Sequence, residues 1–313
     1  MATKVYQLTA NQIKDLQHKY QSYLVKTPPY AVFQAKLSKT TLTAYQSGKV
    51  VVQGQDIEEI NLQLSKLGTS IEKKPTPNTQ KTNGLPAGFA SWSVVGSDEV
   101  GTGSYFGPLT VCAAYVSSDQ ISILKELGVK DSKSLSDKEI QALAKQLKEL
   151  IPYKLLVLWP EKYNQVQTSH NQNAIKAKLH NQALALLTSQ LQESNPELAI
   201  DAYLIDQFAT PKSYFSYLKG TSTIIQDKVY FITKGESHHL AVAAASIIAR
   251  DAFLQGLDSL SKDLSIILPS GAGANVDIVA SEVLKFGGMD LLKKVAKVHF
   301  ANTEKAVAII QNS

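Results

Sequence analysis

The stretch Trp92-Ser-Val-Val-Gly-Ser-Asp-Glu-Val-Gly-Thr-Gly103 joins an apolar run to two adjacent acids and a glycine-rich turn. The apolar run predicts a strand over Ser93–Ser97. Gly101-Thr102-Gly103 predicts a turn whose backbone amides can approach a ligand closely. Because neighbouring side chains of a regular strand face opposite ways, we expect one of two arrangements at Asp98 and Glu99. Either the strand breaks there, or Glu99 contributes partly through its backbone carbonyl.

Apolar strands alternate with helices downstream of this stretch. The patterns predict strands at Leu109–Val116, Lys154–Trp159, Leu198–Asp206 and Lys228–Thr233, and helices at Asp137–Leu150, Asn173–Glu193 and His239–Leu260. This alternation predicts an α/β layer fold with a mixed, partly parallel sheet flanked by helices.

A shorter block with its own periodicity precedes the opening stretch. Its patterns predict a helix capped near Thr9, a strand over Tyr30–Leu37, a hairpin joining Thr40–Tyr45 to Lys49–Gln53, and a helix capped by Asp56. We therefore expect a small α+β domain at residues 1–67. Residues 68–90 are rich in Gly, Pro, Thr, Asn and Lys, which predicts a linker to a larger domain at residues 91–313.

The positive charge of the chain is concentrated near its N-terminus. Residues 1–85 hold eleven lysines and five acidic residues, whereas the remainder holds 21 basic and 22 acidic residues. Such a distribution is typical of a polyanion-binding module, although a lysine-rich surface that serves only solubility remains an alternative. The predicted sheet offers Lys36, Lys39 and Lys49 for phosphate contacts, beside Phe33 and Tyr45. The alternative is that Phe33 and Tyr45 both belong to the core of the domain, and this alternative is favoured for Phe33.

Composition narrows the class of protein further. A hydrophobic fraction of 44% is enough for a sizeable core. We expect no membrane span and no secretory signal, because no apolar run of the necessary length is apparent. Cys112 is the only cysteine, which favours a reducing compartment and hence the cytoplasm. Nothing in the sequence indicates an obligate oligomer, so we expect a monomer.

Further acids follow other predicted strands. Asp206 closes one strand, and Glu236 follows another within Lys234-Gly235-Glu236-Ser237. Sites in open α/β sheets form beyond the carboxyl ends of the strands, so these acids and Asp98-Glu99 should converge. Crowded carboxylates repel one another unless a cation neutralises them, and their hard oxygen atoms favour Mg²⁺ or Mn²⁺. Two such ions can promote cleavage of a phosphodiester, so the pattern predicts a phosphodiesterase site.

These motifs resemble those of the type 2 ribonuclease H family. The resemblance rests on Gly96–Pro108, Lys130–Leu135, Leu204–Phe208, Ala241–Arg250, Leu268–Gly273 and His299–Glu304, which follow in order over nearly all of residues 91–306. Thr102, with the Tyr105-Phe106 flank, is similar to the ribonuclease HIII branch, because ribonuclease HII typically has arginine at that position. The N-terminal block resembles the extension of that branch, a fold similar to half of the TATA-binding protein.

The resemblance implies a ribonuclease H-like domain that cuts the RNA strand of RNA/DNA hybrids with Mg²⁺ or Mn²⁺, two ions being bound together with the substrate. It implies Asp98, Glu99 and Asp206 as the first three acids, which are both catalytic and metal-binding. Glu236 is favoured as the fourth acid, with Asp251 as the alternative.

The expected substrate contacts are the backbone amides of Gly101-Thr102-Gly103, which would meet 2′-hydroxyls, and Lys133 and Ser134 in a loop before a helix.

Two other functions remain open at this point. A ribonuclease HII activity would incise duplex DNA beside single ribonucleotides, but Thr102 and the N-terminal block argue against it. A non-catalytic hybrid-binding protein is the second alternative. Four acids near a phosphate argue against it, because binding alone would favour lysines there.

Overall fold

The computed structural model describes residues 2–28, 31–54, 57–67, 69–70, 84–130 and 132–312. The chain forms two compact units. The first consists of Met1–Trp92 with Ser117–Val129, and the second of Ser93–Val116 with Lys130–Ser313. Most of the linker predicted at residues 68–90 lies outside the described residues, as does the predicted cap Asp56.

The first unit contains a five-stranded antiparallel sheet and its helices. Its elements are β1 (Ala2–Gln7), α1 (Ala10–Lys19), β2 (Ala31–Leu37), β3 (Thr40–Tyr45), β4 (Lys49–Gly54), α2 (Glu58–Leu67), β5 (Thr69–Ser70) and α3 (Ile121–Glu126). The strand order is β2-β3-β4-β1-β5. The predicted cap is confirmed, since the Thr9 side chain accepts a hydrogen bond from the Gln12 amide.

Residues on the sheet of the first unit divide between core and surface. Phe33 packs in a core with Leu16, Leu42 and Leu64, as its apolar character indicates. Tyr45 is also buried, so the expectation that this ring is presented to a ligand was wrong. β1 was missed by the sequence patterns, because its alternation of small, polar and apolar residues over six positions is weak.

The second unit is built on a mixed five-stranded sheet. Its strands are β6 (Val94–Val100), β7 (Leu109–Val116), β8 (Tyr153–Leu158), β9 (Ala202–Asp206) and β10 (Val229–Ile232), in the order β10-β9-β6-β7-β8. β10, β9 and β6 run parallel, whereas β7 and β8 pair antiparallel. The predicted α/β fold with a mixed sheet is confirmed.

Helices accompany this sheet. They are α4 (Asp137–Leu150), α5 (Pro160–Gln167), α6 (Gln172–Ser194), α7 (Pro211–Tyr217), α8 (Leu240–Leu264), α9 (Ala274–Val295) and α10 (Asn302–Gln311). α8 lies against β6 and β7 at short range. A side-chain carbon added at Gly96 would approach the backbone nitrogen of Val242 to 2.4 Å, so glycine is required at this crossing.

The helix α8 corrects one expectation from composition. It is long and apolar enough to cross a membrane, contrary to the absence of any such run expected from the sequence. However, 78% of its most apolar window is buried inside the protein, as in the core helix of a soluble domain.

Candidate active site

Strand register brings two of the predicted acids to one edge of the sheet. β6 and β9 are parallel neighbours, and Ser97 is paired with Ile205. The next residues along the two strands are Asp98 and Asp206, so the two acids lie at the same level of neighbouring strands. Parallel strands present their carboxyl ends at one edge, which is why acids 108 positions apart in the sequence meet.

Asp98 is a buried carboxylate that accepts hydrogen bonds from its surroundings. It is 8% exposed, and its Oδ1 accepts a hydrogen bond from the Glu99 amide at 2.8 Å. The Ser246 side chain on α8 also bonds to it. Burial, followed by the charges of Glu99 and Asp206, raises the pKa of Asp98 well above its usual range, although the hydrogen bonds oppose this. A cation bound nearby would therefore stabilise the ionised form of Asp98.

The segment that follows β10 carries Glu236 close to Asp206. Lys234 adopts the left-handed conformation and turns the chain into a short helical turn at Gly235–Ser237. The Gly235 amide donates a hydrogen bond to Asp206 Oδ1 at 2.8 Å. Because Glu236 follows Gly235 directly, this bond holds the buried Glu236 close to Asp206 at the edge of the sheet.

Lys133 also lies at Glu236. Its Nζ is 3.8 Å from Glu236 Oε1, while the lysine side chain remains 81% exposed. Arg250 holds this loop, because its guanidinium donates to the carbonyls of Ser132 and Leu135 and pairs with Asp137. The structure thus brings Lys133 beside the acids, and Ser134 is its exposed neighbour in the same turn.

Asp251, the alternative fourth acid, has other partners. Its carboxylate lies 2.6 Å from Lys148 Nζ on α4 and accepts hydrogen bonds from Gln255 one turn further along α8. The ion pair neutralises Asp251 within the protein itself. These contacts favour a structural role for Asp251 and leave Glu236 as the better candidate.

The strand does not break at the two adjacent acids. β6 continues through Val100, so the first of the two arrangements expected here, an interruption of the strand, is wrong, and the side chains of Asp98 and Glu99 face opposite ways. The second arrangement, a contribution through the Glu99 backbone carbonyl, stays a prediction. Glu99 faces α6, where its Oε1 lies 2.9 Å from Lys176 Nζ and its Oε2 lies 2.7 Å from His180 Nε2. Burial alone would raise the pKa of Glu99, but His180 and Lys176 outweigh it and lower the pKa to about 2.

The glycine turn follows directly on β6. Gly101 has φ +96°, and a side-chain carbon there would meet the Pro108 carbonyl oxygen at 2.2 Å. Gly103, in contrast, faces open space. Thr102 Oγ1 is buried and has no hydrogen-bond partner among the described residues, while its carbonyl accepts a bond from Gln172. A buried hydroxyl without a partner is unusual, and because this oxygen is closed to solvent we assign no ligand contact to it.

The chemical type of these side chains suits a divalent cation. Asp98, Asp206 and Glu236 offer only oxygen atoms, and the raised pKa of Asp98 shows the cost of leaving these charges without a counterion. Within the described ranges, no three His, Cys, Asp or Glu side chains are already gathered as a metal-binding group.

The three N-terminal lysines predicted to contact phosphate belong to the first unit. Lys36 on β2 and Lys39 in the following turn are exposed. Lys49 forms an ion pair with Glu126, which also accepts a hydrogen bond from Ser47 at 2.6 Å. Lys49 is therefore less available to a phosphate than the other two lysines.

Comparison with known proteins places this geometry in a family. The family described as Ribonuclease HII matches residues 95–303, and a domain of unknown function, DUF3378, matches residues 3–77. Ribonuclease HIII of Enterococcus faecalis is 51% identical over 92% of both chains. Ribonuclease HIII of Bacillus pumilus is 48% identical over 98% of this chain and 99% of its own. This chain belongs to the ribonuclease HIII family.

A solved structure supports the same assignment. The crystal structure of Bst-RNase HIII in complex with Mn²⁺ is 37% identical, covers 100% of both chains and superposes with a TM-score of 0.70. The family resemblance expected from the motifs is thus confirmed. The specific roles of the individual acids and of the substrate contacts remain predictions.

Several contacts of the site were not predicted from the sequence. Lys176, His180 and Ser246 touch the acids, yet the first two lie within a helix with no clear polar face and the third within a run of small residues. One signal was available. Lys176 and His180 are spaced i, i+4 between buried apolar positions, so they share a helix face.

Proposed function

We propose that this protein is an endonuclease that hydrolyses the RNA strand of RNA/DNA hybrids with Mg²⁺ or Mn²⁺, leaving 5′-phosphate and 3′-hydroxyl ends. The observation that carries the proposal is the meeting of Asp98 and Asp206 at the ends of parallel strands, with Glu236 held beside Asp206 through Gly235. Membership of the ribonuclease HIII family and the Mn²⁺ bound by a similar structure support it.

Each acid has a role in this proposal. Asp98, Asp206 and Glu236 hold the divalent ions through their carboxylates. Glu99 was expected from the family resemblance to be a further metal ligand, but its two carboxylate oxygens are paired with Lys176 and His180, so in this proposal it supports the site from the other face of β6. Ions bound there, two in the presence of substrate, would supply an activated water and stabilise charge on the leaving oxygen. Ser246 orients Asp98, and Lys133 is close enough to Glu236 to meet a substrate phosphate.

Recognition of RNA is assigned to the turn Gly101-Thr102-Gly103. Its backbone amides can bond to 2′-hydroxyls, the groups that distinguish RNA from DNA. We further propose a monomer in the cytoplasm, in keeping with the buried free thiol of Cys112.

The decisive assay compares three labelled substrates: a long RNA/DNA hybrid, a DNA duplex with one embedded ribonucleotide, and a DNA duplex. We expect cleavage of the hybrid at several positions in Mg²⁺ or Mn²⁺ and none with chelator. Incision only beside the single ribonucleotide would favour a ribonuclease HII activity. Binding without metal-dependent cleavage would instead support the non-catalytic alternative.

Substitution of the two glycines should separate recognition from folding. Gly103→Ala adds a methyl group to open space, so we expect an unchanged melting temperature but a loss of roughly 10–100-fold in kcat/KM through misplaced substrate. Gly101→Ala meets the Pro108 carbonyl at positive φ and should lower stability by about 1–3 kcal/mol. Thermal unfolding and hybrid cleavage measure both effects. Full activity of the Gly103 variant would contradict a substrate contact at this turn.

The exposed lysines of the first unit should govern the salt dependence of binding. Lys36→Ala/Lys39→Ala removes two candidate phosphate contacts, so the slope of log K against log[salt] should fall in magnitude by about 1–2. Lys14→Ala/Lys66→Ala, on α1 and α2, is the control with the same change in charge. Hybrid binding by anisotropy at several salt concentrations provides the measurement. Equal slopes for the two double variants would exclude a specific contact at Lys36 and Lys39.

A further inference from the structure

The carboxylate of Glu99 is held by two side chains of α6. Lys176 Nζ takes one oxygen at 2.9 Å, and His180 Nε2 takes the other at 2.7 Å. Both partners are themselves buried, at 6% and 0% exposure. Each of the two Glu99 oxygens thus already has a short polar contact on the α6 side of the sheet.

The same histidine contacts both sequence neighbours of Asp98. Its Nδ1 lies 2.8 Å from Ser97 Oγ, and its Nε2 binds Glu99. Because side chains alternate along β6, Ser97 and Glu99 face α6 while Asp98 between them points to the other face. His180 therefore fixes the backbone on either side of Asp98 without touching Asp98.

The group of side chains also reaches the second acid-bearing strand. Phe208 follows Asp206 by two residues, and its ring centroid lies 4.1 Å from Lys176 Nζ and 5.1 Å from the His180 ring centroid. A cation above an aromatic face is attracted by the ring quadrupole. Lys176 and His180 therefore connect the ends of β6 and β9, the two strands whose acids meet at the sheet edge.

Stability alone does not account for this arrangement. Burying a lysine and a histidine against a carboxylate carries a desolvation penalty that can exceed the attraction, and apolar replacements of similar size are often as stable. Elsewhere α6 packs with ordinary apolar side chains such as Leu184 and Leu187. A metal site, by contrast, requires its ligands to be fixed to within fractions of an ångström.

We propose that Lys176 and His180 are positioning residues for the metal-binding acids: they hold the Glu99 carboxylate against α6 and so fix the strand end that carries Asp98. The inference rests on the proposed function. Under it, Glu99 acts through its two partners, and loss of either partner displaces Asp98 relative to Asp206.

The test uses the full-length protein and six variants, two of which are Glu99→Gln alone and Glu99→Gln combined with His180→Leu. Lys176→Met and His180→Leu remove the contacts, His180→Gln keeps a donor for Glu99 Oε2, and Lys178→Met removes the same charge from the same helix without a contact to Glu99. Hybrid cleavage gives kcat and KM, and the electron paramagnetic resonance signal of free Mn²⁺ gives the affinity for the metal alone. Circular dichroism and melting temperature report folding.

We expect Lys176→Met and His180→Leu to lower kcat and weaken Mn²⁺ binding by about 10–100-fold, with KM for the hybrid within about twofold of wild type. His180→Gln should recover most of both losses, and Lys178→Met should match wild type. Glu99→Gln combined with His180→Leu should be no worse than the poorer single variant, because both changes break one support.

Two results would overturn the inference. One is a folded His180→Leu or Lys176→Met variant with wild-type kcat and Mn²⁺ affinity. The other is a lower melting temperature with no change in kcat or in the affinity for Mn²⁺, which would indicate a purely structural role. If His180→Leu does not fold, Lys176→Met and His180→Gln carry the same comparison. Wild-type protein that fails to cut hybrids would instead refute the proposed function, while the Mn²⁺ measurements would still test the positioning role.

Discussion

Asp98→Asn is expected to abolish metal-dependent cleavage of RNA/DNA hybrids and, at the same time, to raise the melting temperature of the metal-free protein. A cation ligand of this kind is worth several kcal/mol in the transition state, so kcat should fall by at least about 10³-fold. The gain in stability follows from burial, because Asp98 is enclosed near Glu99 and Asp206 and its ionised form is disfavoured. Asparagine keeps the shape and a hydrogen-bonding oxygen but removes the charge.

The sign of the pH dependence follows from the raised pKa of Asp98. A carboxyl whose pKa is higher in the folded state than in the unfolded state favours folding at low pH, where it is protonated in both states. This advantage is lost as the pH rises from the unfolded value, near 3.9, through the folded one. The stabilisation by Asp98→Asn should therefore be greater at pH 8 than at pH 5. It should amount to a few degrees, since about 1 kcal/mol corresponds to roughly 2–4 °C.

Titration with Mn²⁺ supplies the control for this variant. The metal should raise the melting temperature of the wild type, because a ligand that binds only the folded state stabilises it, and should raise that of Asp98→Asn much less. Calorimetry with chelator and with Mn²⁺ at both pH values gives four melting temperatures for each of the two proteins. A metal-free Asp98→Asn protein less stable than the wild type at pH 8 would show that the carboxylate is supported from within the protein.

The parts of this site that were predicted from the sequence are those with a local signature. An apolar strand that ends in acids and glycines marks Asp98, and the same rule marks Asp206 and Glu236. The alternation of helices and strands predicts a partly parallel sheet, but it predicts neither the strand order β10-β9-β6-β7-β8 nor the antiparallel pairing of β7 with β8. The convergence of the acids could be anticipated because parallel strands place their carboxyl ends at one edge.

The supporting residues lack such a signature. Lys176 and His180 lie in the interior of a helix that is buried on much of its circumference, and only the three-dimensional approach of α6 to β6 shows that they meet Glu99. The unbroken course of β6 was equally hidden. Gly101 allowed a break, whereas pairing of Val100 with Thr110 on β7 keeps the strand regular to its end.

The fourth acid can be identified by a pair of isosteric substitutions with opposite expected results. Glu236→Gln removes a charge from the group that lies next to Asp206, so we expect kcat to fall at least about 100-fold with little change in melting temperature. Asp251→Asn breaks the ion pair with Lys148 and should leave kcat within about threefold of wild type. Its stability should fall by about 1–3 kcal/mol, because a partly buried lysine loses its charged partner.

The two variants control for each other, since each replaces one buried carboxylate by its amide. Hybrid cleavage with saturating Mn²⁺ and thermal unfolding with chelator separate catalytic loss from structural loss. The reverse pattern, an inactive Asp251→Asn and an active Glu236→Gln, would identify Asp251 on α8 as the fourth acid. The ion pair between Asp251 and Lys148 would then belong to the metal-free protein only. Since Lys133 Nζ lies 3.8 Å from Glu236 Oε1, Lys133→Met should leave kcat unchanged in that case, whereas under the present assignment it should lower kcat/KM.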